Sequence, residues 1–161
     1  MALTLERYQS VWRKVDAFFS FHDAGSSSPA HVGAFASLKA NLISRGIENL
    51  QFMPFSAADI VTNLGYSPLD VPAKVYGFYV KNPGTSTGTD SYITLHNAAN
   101  NASVPFITGL IQVSDDEFSY INSRGIDFTT DVTVSGATAS GGATESAAAD
   151  AGDGFLIVGA A

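Results

Sequence analysis

The chain contains no cysteine, which excludes a disulfide framework and any Cys-ligated zinc and fits folding in a reducing cytosol. It is also short of charge. Asp, Glu, Lys and Arg make up 14% of its residues, against roughly 25% in ordinary soluble domains. Such a surface either takes its solubility from Ser, Thr, Asn and backbone or is partly covered by neighbours. Basic residues almost vanish from the second half. Residues 82–161 hold only Arg124 against nine acids, net −8, while residues 1–81 hold seven Lys/Arg and six Asp/Glu, net +1. An acidic half repels phosphates, which argues against a nucleic-acid partner. No run of about 18 apolar residues occurs, so no helix is expected to cross a membrane. Glu6, Arg7, Arg13, Lys14 and Asp16 break up the first 21 residues, and no secretory signal is expected there.

Groups that carry chemistry are scarce as well. His22, His31 and His96 are scattered, with no spacing that supports a metal site. No G-x-S-x-G elbow or phosphate-binding glycine loop is present, and Gly152-Asp153-Gly154 reads as turn. Asp115-Asp116-Glu117, and Asp150 with Asp153, could offer oxygens to Ca²⁺, but neither matches a calcium-loop spacing, and solvated turns are the plainer reading. Asn101-Ala102-Ser103 has the form of an N-glycosylation sequon, taken here as chance. The expectation is a protein with no cofactor, no bound metal and no enzymatic activity.

What the chain does have is a change of texture near residue 72. Its 161 residues, 45% of them apolar, suffice for one ordinary domain or a smaller one with an extension. Before residue 72 the periodicity is helical. Over 5–21, Leu5, Tyr8, Trp12, Val15 and Phe19 recur at spacings of three and four, with Val11 and Phe18 widening the stripe and Thr4 placed as N-cap. A second helix begins with Ser28 as cap and Pro29 in its first turn, carries Val32, Phe35, Leu38, Leu42 and Ile43, and closes at Arg45-Gly46. Ser56 and Asp59 form a capping-box pattern for a short third helix over 57–64, ended by Gly65. The aromatic faces either pack on the chain's own core or dock on a neighbour. If they dock, the contact residues are Tyr8, Trp12, Phe18, Phe19 and Phe35.

After residue 72 come short β-branched and aromatic runs cut by Gly, Ser, Thr and Asn. Strands are expected over 73–81, 92–96, 104–113, 118–121, 126–128, 131–135 and 155–158. Residues 82–84 read as a type II turn and 122–125 as a tight turn. Residues 73–81 are apolar on both faces, with Val75 and Tyr79 on one and Tyr76, Phe78 and Val80 on the other, which places that strand centrally. Pro105 restricts its segment to a strand start or a sheet edge. Residues 136–154 read as a long loop of small residues. The fold class expected is mainly β (α+β), an antiparallel β-sandwich of about seven short strands (72–161) preceded by an N-terminal helical, irregular docking region (1–71).

The strand Lys74-Val75-Tyr76-Gly77-Phe78-Tyr79-Val80-Lys81-Asn82 is followed by Tyr92-Ile93-Thr94-Leu95-His96-Asn97. Gly125-Ile126-Asp127-Phe128, Val132-Thr133-Val134 and Gly154-Phe155-Leu156-Ile157-Val158 come next. In texture and order these pieces resemble the β-sandwich of tailed-phage virion structural proteins, above all head decoration (cement) proteins. The resemblance covers a little over half the chain and rests on no invariant motif. It implies a bacteriophage structural protein on the capsid exterior, assembled in the host cytoplasm, that binds the major capsid protein and copies of itself, often as a homotrimer. It brings no catalytic residues. A carbohydrate- or receptor-binding β-sandwich module of a phage tail or adhesin is the alternative.

Overall fold

A computed structural model describes residues 3–23, 29–62, 65–69, 71–82, 90–112, 116–138 and 151–161. The elements in chain order are β1 (Glu6–Arg7), α1 (Tyr8–Asp23), α2 (Pro29–Ser44), β2 (Asn49–Phe55), α3 (Ala57–Ile60), β3 (Ala73–Lys81), β4 (Ser91–His96), β5 (Ile107–Ile111), β6 (Glu117–Phe128), β7 (Thr133–Ala137) and β8 (Asp153–Gly159). The described strands form two antiparallel sheets, one ordered β1-β2-β8-β3-β6 and the other β5-β4-β7. The protein is mainly β, with a helical N-terminal region, as its periodicity indicates.

Three layers result. Val75, Phe78 and Val80 of β3 and Leu156 and Val158 of β8 face Ile93 and Leu95 of β4, Ile107 and Ile111 of β5 and Val134 of β7, making the sandwich core. The opposite face of the larger sheet presents Leu50, Tyr76, Tyr79, Phe155 and Ile157 to α1 and α2. The larger sheet is therefore covered on both sides, which is why the middles of β3 and β8 carry apolar side chains on both faces.

Strand β2 is the main departure from the sequence reading. It pairs with β8 from Gln51↔Val158 to Phe55↔Gly154 and sends Met53 and Phe55 into the sandwich core and Leu50 to the helices. The sequence reading placed no strand over 49–55, and the strand accommodates Pro54 by its position. This residue lies beyond the two positions that β1 covers, Asn49 and Leu50, where β2 is the sheet edge and proline is tolerated. Both cores thus mix residues from either side of residue 72, and a boundary at 71/72 falls inside one continuous fold.

A bulge changes the facing of β3. Opposite β8 the register steps from Val75↔Val158 to Gly77↔Ile157, leaving Tyr76 as the extra residue. Val75, Phe78 and Val80 consequently share the sandwich face, while Tyr76 and Tyr79 share the helix face, which corrects the strict alternation expected. Opposite β6 the step runs from Val75↔Ile126 to Gly77↔Ile121. Residues 122–125, read as a turn between two strands, are an excursion within one strand, with Gly125 at φ 77°.

Helix boundaries follow local hydrogen bonding. The Tyr8 backbone N–H donates to Glu48 O at 2.7 Å and the Thr4 N–H to Gln51 Oε1 at 2.6 Å. Residues 4–7 are thus held against β2, and α1 starts at Tyr8, so Thr4 is not its cap. Helix α2 ends as expected: Ile47 N–H donates to Leu42 O, Gly46 N–H to Ile43 O, and Gly46 has φ 73°, a Schellman motif. The Ser56/Asp59 capping box is present, but α3 stops at Ile60. The Ser28 cap, the turn at 83–84, Asp115, Asp150 and most of the 136–154 loop lie outside the described residues.

Candidate functional site

The five side chains expected to dock come together, but they point inward. Trp12 is 3% exposed, Phe19 and Phe35 are buried, and Tyr8 and Phe18 pack against them partly buried. Ring centroids are 5.0 Å apart for Phe18–Phe155, Phe19–Tyr79 and Phe35–Phe155. Fully burying each such ring contributes about 1.5–3 kcal/mol, so α1 and α2 are structural parts of this fold. The stripe that could have been an arm is the chain's own second core, and its rings are not free to dock on a neighbour.

Other apolar residues are left on the surface. Val104 is 84% exposed and Phe106 52%, and Leu110 is also exposed. They lie on and just before β5, an outer strand of the smaller sheet. Within β5 the inward positions are Ile107, Gly109 and Ile111, leaving Thr108 and Leu110 outward. Pro105 holds the entry to this strand, Phe106 N–H donates to Leu95 O at 2.7 Å, and the Phe106 ring lies 5.1 Å from that of Phe128. Pro105 marked an edge in the sequence. The alternation running back from Leu110 through Thr108 to Phe106 and Val104 was the signal that pointed outward.

Two polar clusters test the chain for chemistry. His31, in the first turn of α2, has Nδ1 2.8 Å from Ser119 Oγ and Nε2 3.9 Å from Glu117 Oε2. Glu117 is nearly buried and accepts a 2.8 Å hydrogen bond from the Tyr79 hydroxyl. Serine, histidine and carboxylate thus meet, which sequence spacing gave no hint of. Yet 3.9 Å is beyond hydrogen-bond reach, so the carboxylate does not orient the ring as a catalytic triad requires. What the contacts accomplish is to tie α2 to β6 and β3.

The second cluster is sealed behind β4. His96 Nδ1 lies 2.9 Å from the Ser103 carbonyl, which can only accept, so Nδ1 carries the proton. Nε2 then accepts from the Thr94 hydroxyl at 2.8 Å. Asn101 Nδ2 donates to Ser135 Oγ at 3.0 Å, and Thr133 Oγ1 to Ala98 O at 2.6 Å. The segment following β4 covers the sheet's outer face through these bonds. Burial lowers the His96 pKa below its ordinary 6.5, with the Ser103 carbonyl partly opposing the shift. The Asn101 side chain is buried, which makes it unsuited to glycosylation.

Two described acids of the acidic clusters serve the backbone. Asp116 Oδ2 accepts from Gln112 N–H at 2.9 Å and Asp153 Oδ1 from Ala57 N–H at 2.8 Å. Among the described residues, no three His, Asp or Glu side chains are grouped to hold a metal, and no helix is long and apolar enough to cross a membrane. No protein-family model matches the chain, and no curated protein or solved structure shows significant similarity to it.

Proposed function

We propose that this protein is a structural component of a bacteriophage virion, a decoration or cement subunit. It binds the outer surface of the capsid through the major capsid protein and through copies of itself, as a homotrimer. The observation that carries this reading is the exposed apolar group Val104, Phe106 and Leu110 on a sheet edge. Large apolar side chains grouped on an edge strand, beside open backbone donors and acceptors, favour contact with another chain. Low overall charge reduces the desolvation cost of covering such a surface. Repetition across a lattice multiplies a modest interface into firm attachment. The carbohydrate-binding alternative loses its best stacking group, because the only tryptophan is buried in the helix-facing core.

Quantitative mass spectrometry of purified particles tests the proposal. Hundreds of copies per particle, scaling with the major shell protein, are the expected result. A handful of copies would move the protein to a tail or vertex, and its absence from particles would end the proposal.

A further inference from the structure

Residues 91–111 contain no Asp, Glu, Lys or Arg, and neither does β7. Within this uncharged stretch His96 is fully buried, and it is the one group there able to gain charge near neutral pH. It shares the outer face of β4 with Thr94, opposite Ile93 and Leu95, which point into the sandwich core. The 97–103 segment covers that face. Asn101 ties it to Ser135 and Thr133 ties it at Ala98. Asn97 Oδ1 also accepts from Thr130 N–H at 2.8 Å, and its Nδ2 donates to Thr129 Oγ1 at 3.0 Å. Lifting this cover would wet His96 and leave the apolar core closed.

The site is built for a neutral ring, with Nδ1 donating to the Ser103 carbonyl and Nε2 accepting from the Thr94 hydroxyl. When a second proton arrives, Thr94 can turn its own proton to the Ser135 carbonyl at 3.4 Å and accept from Nε2. The hydrogen bonds therefore adapt, but the charge finds no partner. Asp131, just before β7, has its carboxylate on the Ser67 hydroxyl and the Val132 N–H. Tyr66, bridged to Val134, stays neutral, because burial, with Asp59, holds its hydroxyl above the ordinary 10.0. An uncompensated imidazolium is strongly disfavoured in a buried site and well accommodated by water.

We propose that the 97–103 segment is a pH-sensitive latch, closed over neutral His96 and lifted from the smaller sheet when that ring is protonated. The chain runs directly from the latch into Val104 and Phe106, so opening also loosens the entry to β5. Both apolar cores lie away from this face, and the latch opens while they remain intact. The device is independent of whatever the β5 edge binds.

Hydrogen exchange of the full-length protein, followed by mass spectrometry from pH 7.5 to 5 and corrected for intrinsic rates, tests the latch. Protection across 97–106 should fall by up to about tenfold per pH unit as the opened segment takes up one proton. Protection of β3 and β8 should hold over the same range. His96→Gln and His96→Asn cannot gain the charge, and whichever folds should give a flat profile over 97–106. The proposal is overturned if the parent keeps constant protection there between pH 7.5 and 5, or loses it only together with β3 and β8. It is equally overturned if a folded His96 variant loses protection as steeply as the parent.

Discussion

Gly77 lies directly beneath Phe35. A Cβ built on this glycine would stand 2.8 Å from Phe35 Cε1 and 3.0 Å from Leu38 Cδ2, so the bare backbone of β3 is what lets α2 seat on the sheet. Beside it, the Tyr76 bulge turns a second aromatic toward the same helices. Gly77→Ala should destabilise the protein by about 1–3 kcal/mol through overpacking, and Gly77→Val by more. Urea denaturation monitored by circular dichroism measures both.

The helices and the sheets should melt together. Phe35→Ala or Phe19→Ala removes a buried ring from the core shared by α1, α2, β3 and β8, at a cost of about 3–5 kcal/mol. Helix ellipticity and Trp12 fluorescence should shift to the same lower midpoint, as one cooperative unit requires. An early loss of fluorescence with the β signal intact would show that the sheets stand without the helices.

Stability should fall as the solution is acidified below about pH 6.5, in part through His96. Its folded-state pKa lies below the unfolded value of 6.5. The unfolded chain therefore takes up this proton first, and the folded state loses ground as pH drops through that window. Above it the contribution is fully present. His96→Gln should cost stability at pH 7.5 by breaking the bonds to Thr94 and Ser103, yet show a shallower loss between pH 6.5 and 5. Parallel slopes for parent and variant, measured by denaturant titration across pH, would contradict this.

If the β5 edge docks as proposed, Val104→Glu should leave the fold alone and weaken that contact. Val104 is almost fully exposed, so its replacement should change stability by no more than about 0.5 kcal/mol. A carboxylate forced into a closed apolar contact should weaken capsid binding or self-association tenfold or more, as read by co-sedimentation and analytical ultracentrifugation. Phe106→Glu should do the same with a further stability loss of about 0.5–1.5 kcal/mol, because its ring packs near that of Phe128.

Where local patterning was strong the fold was legible: the stripes of α1 and α2, the Gly46 cap, the Ser56/Asp59 box and the two-sided β3 all follow from residue spacing. What escaped was set by contacts distant in sequence. No strand was expected at β2, and the edge position that lets it hold Pro54 is a property of the assembled sheet. The Tyr76 bulge reverses facing through an insertion that alternation alone does not reveal. Trp12 and its neighbours were recognised as one apolar face, but whether that face meets its own sheet or another molecule depends on β8, more than a hundred residues later. His31 and Ser119 meet across 88 residues, and no motif spacing encodes such a meeting.

The placement of β8 also governs when the molecule can form. It lies between β2 and β3 in the larger sheet, yet follows every other described strand in the chain. During synthesis the earlier strands must wait with a gap at the sheet's centre, holding Tyr79 and the α1 aromatics without the Phe155 ring that completes their cluster. The larger sheet can therefore close only after residues 153–159 have emerged, and a nascent chain that stops before them leaves apolar surface uncovered, which favours aggregation.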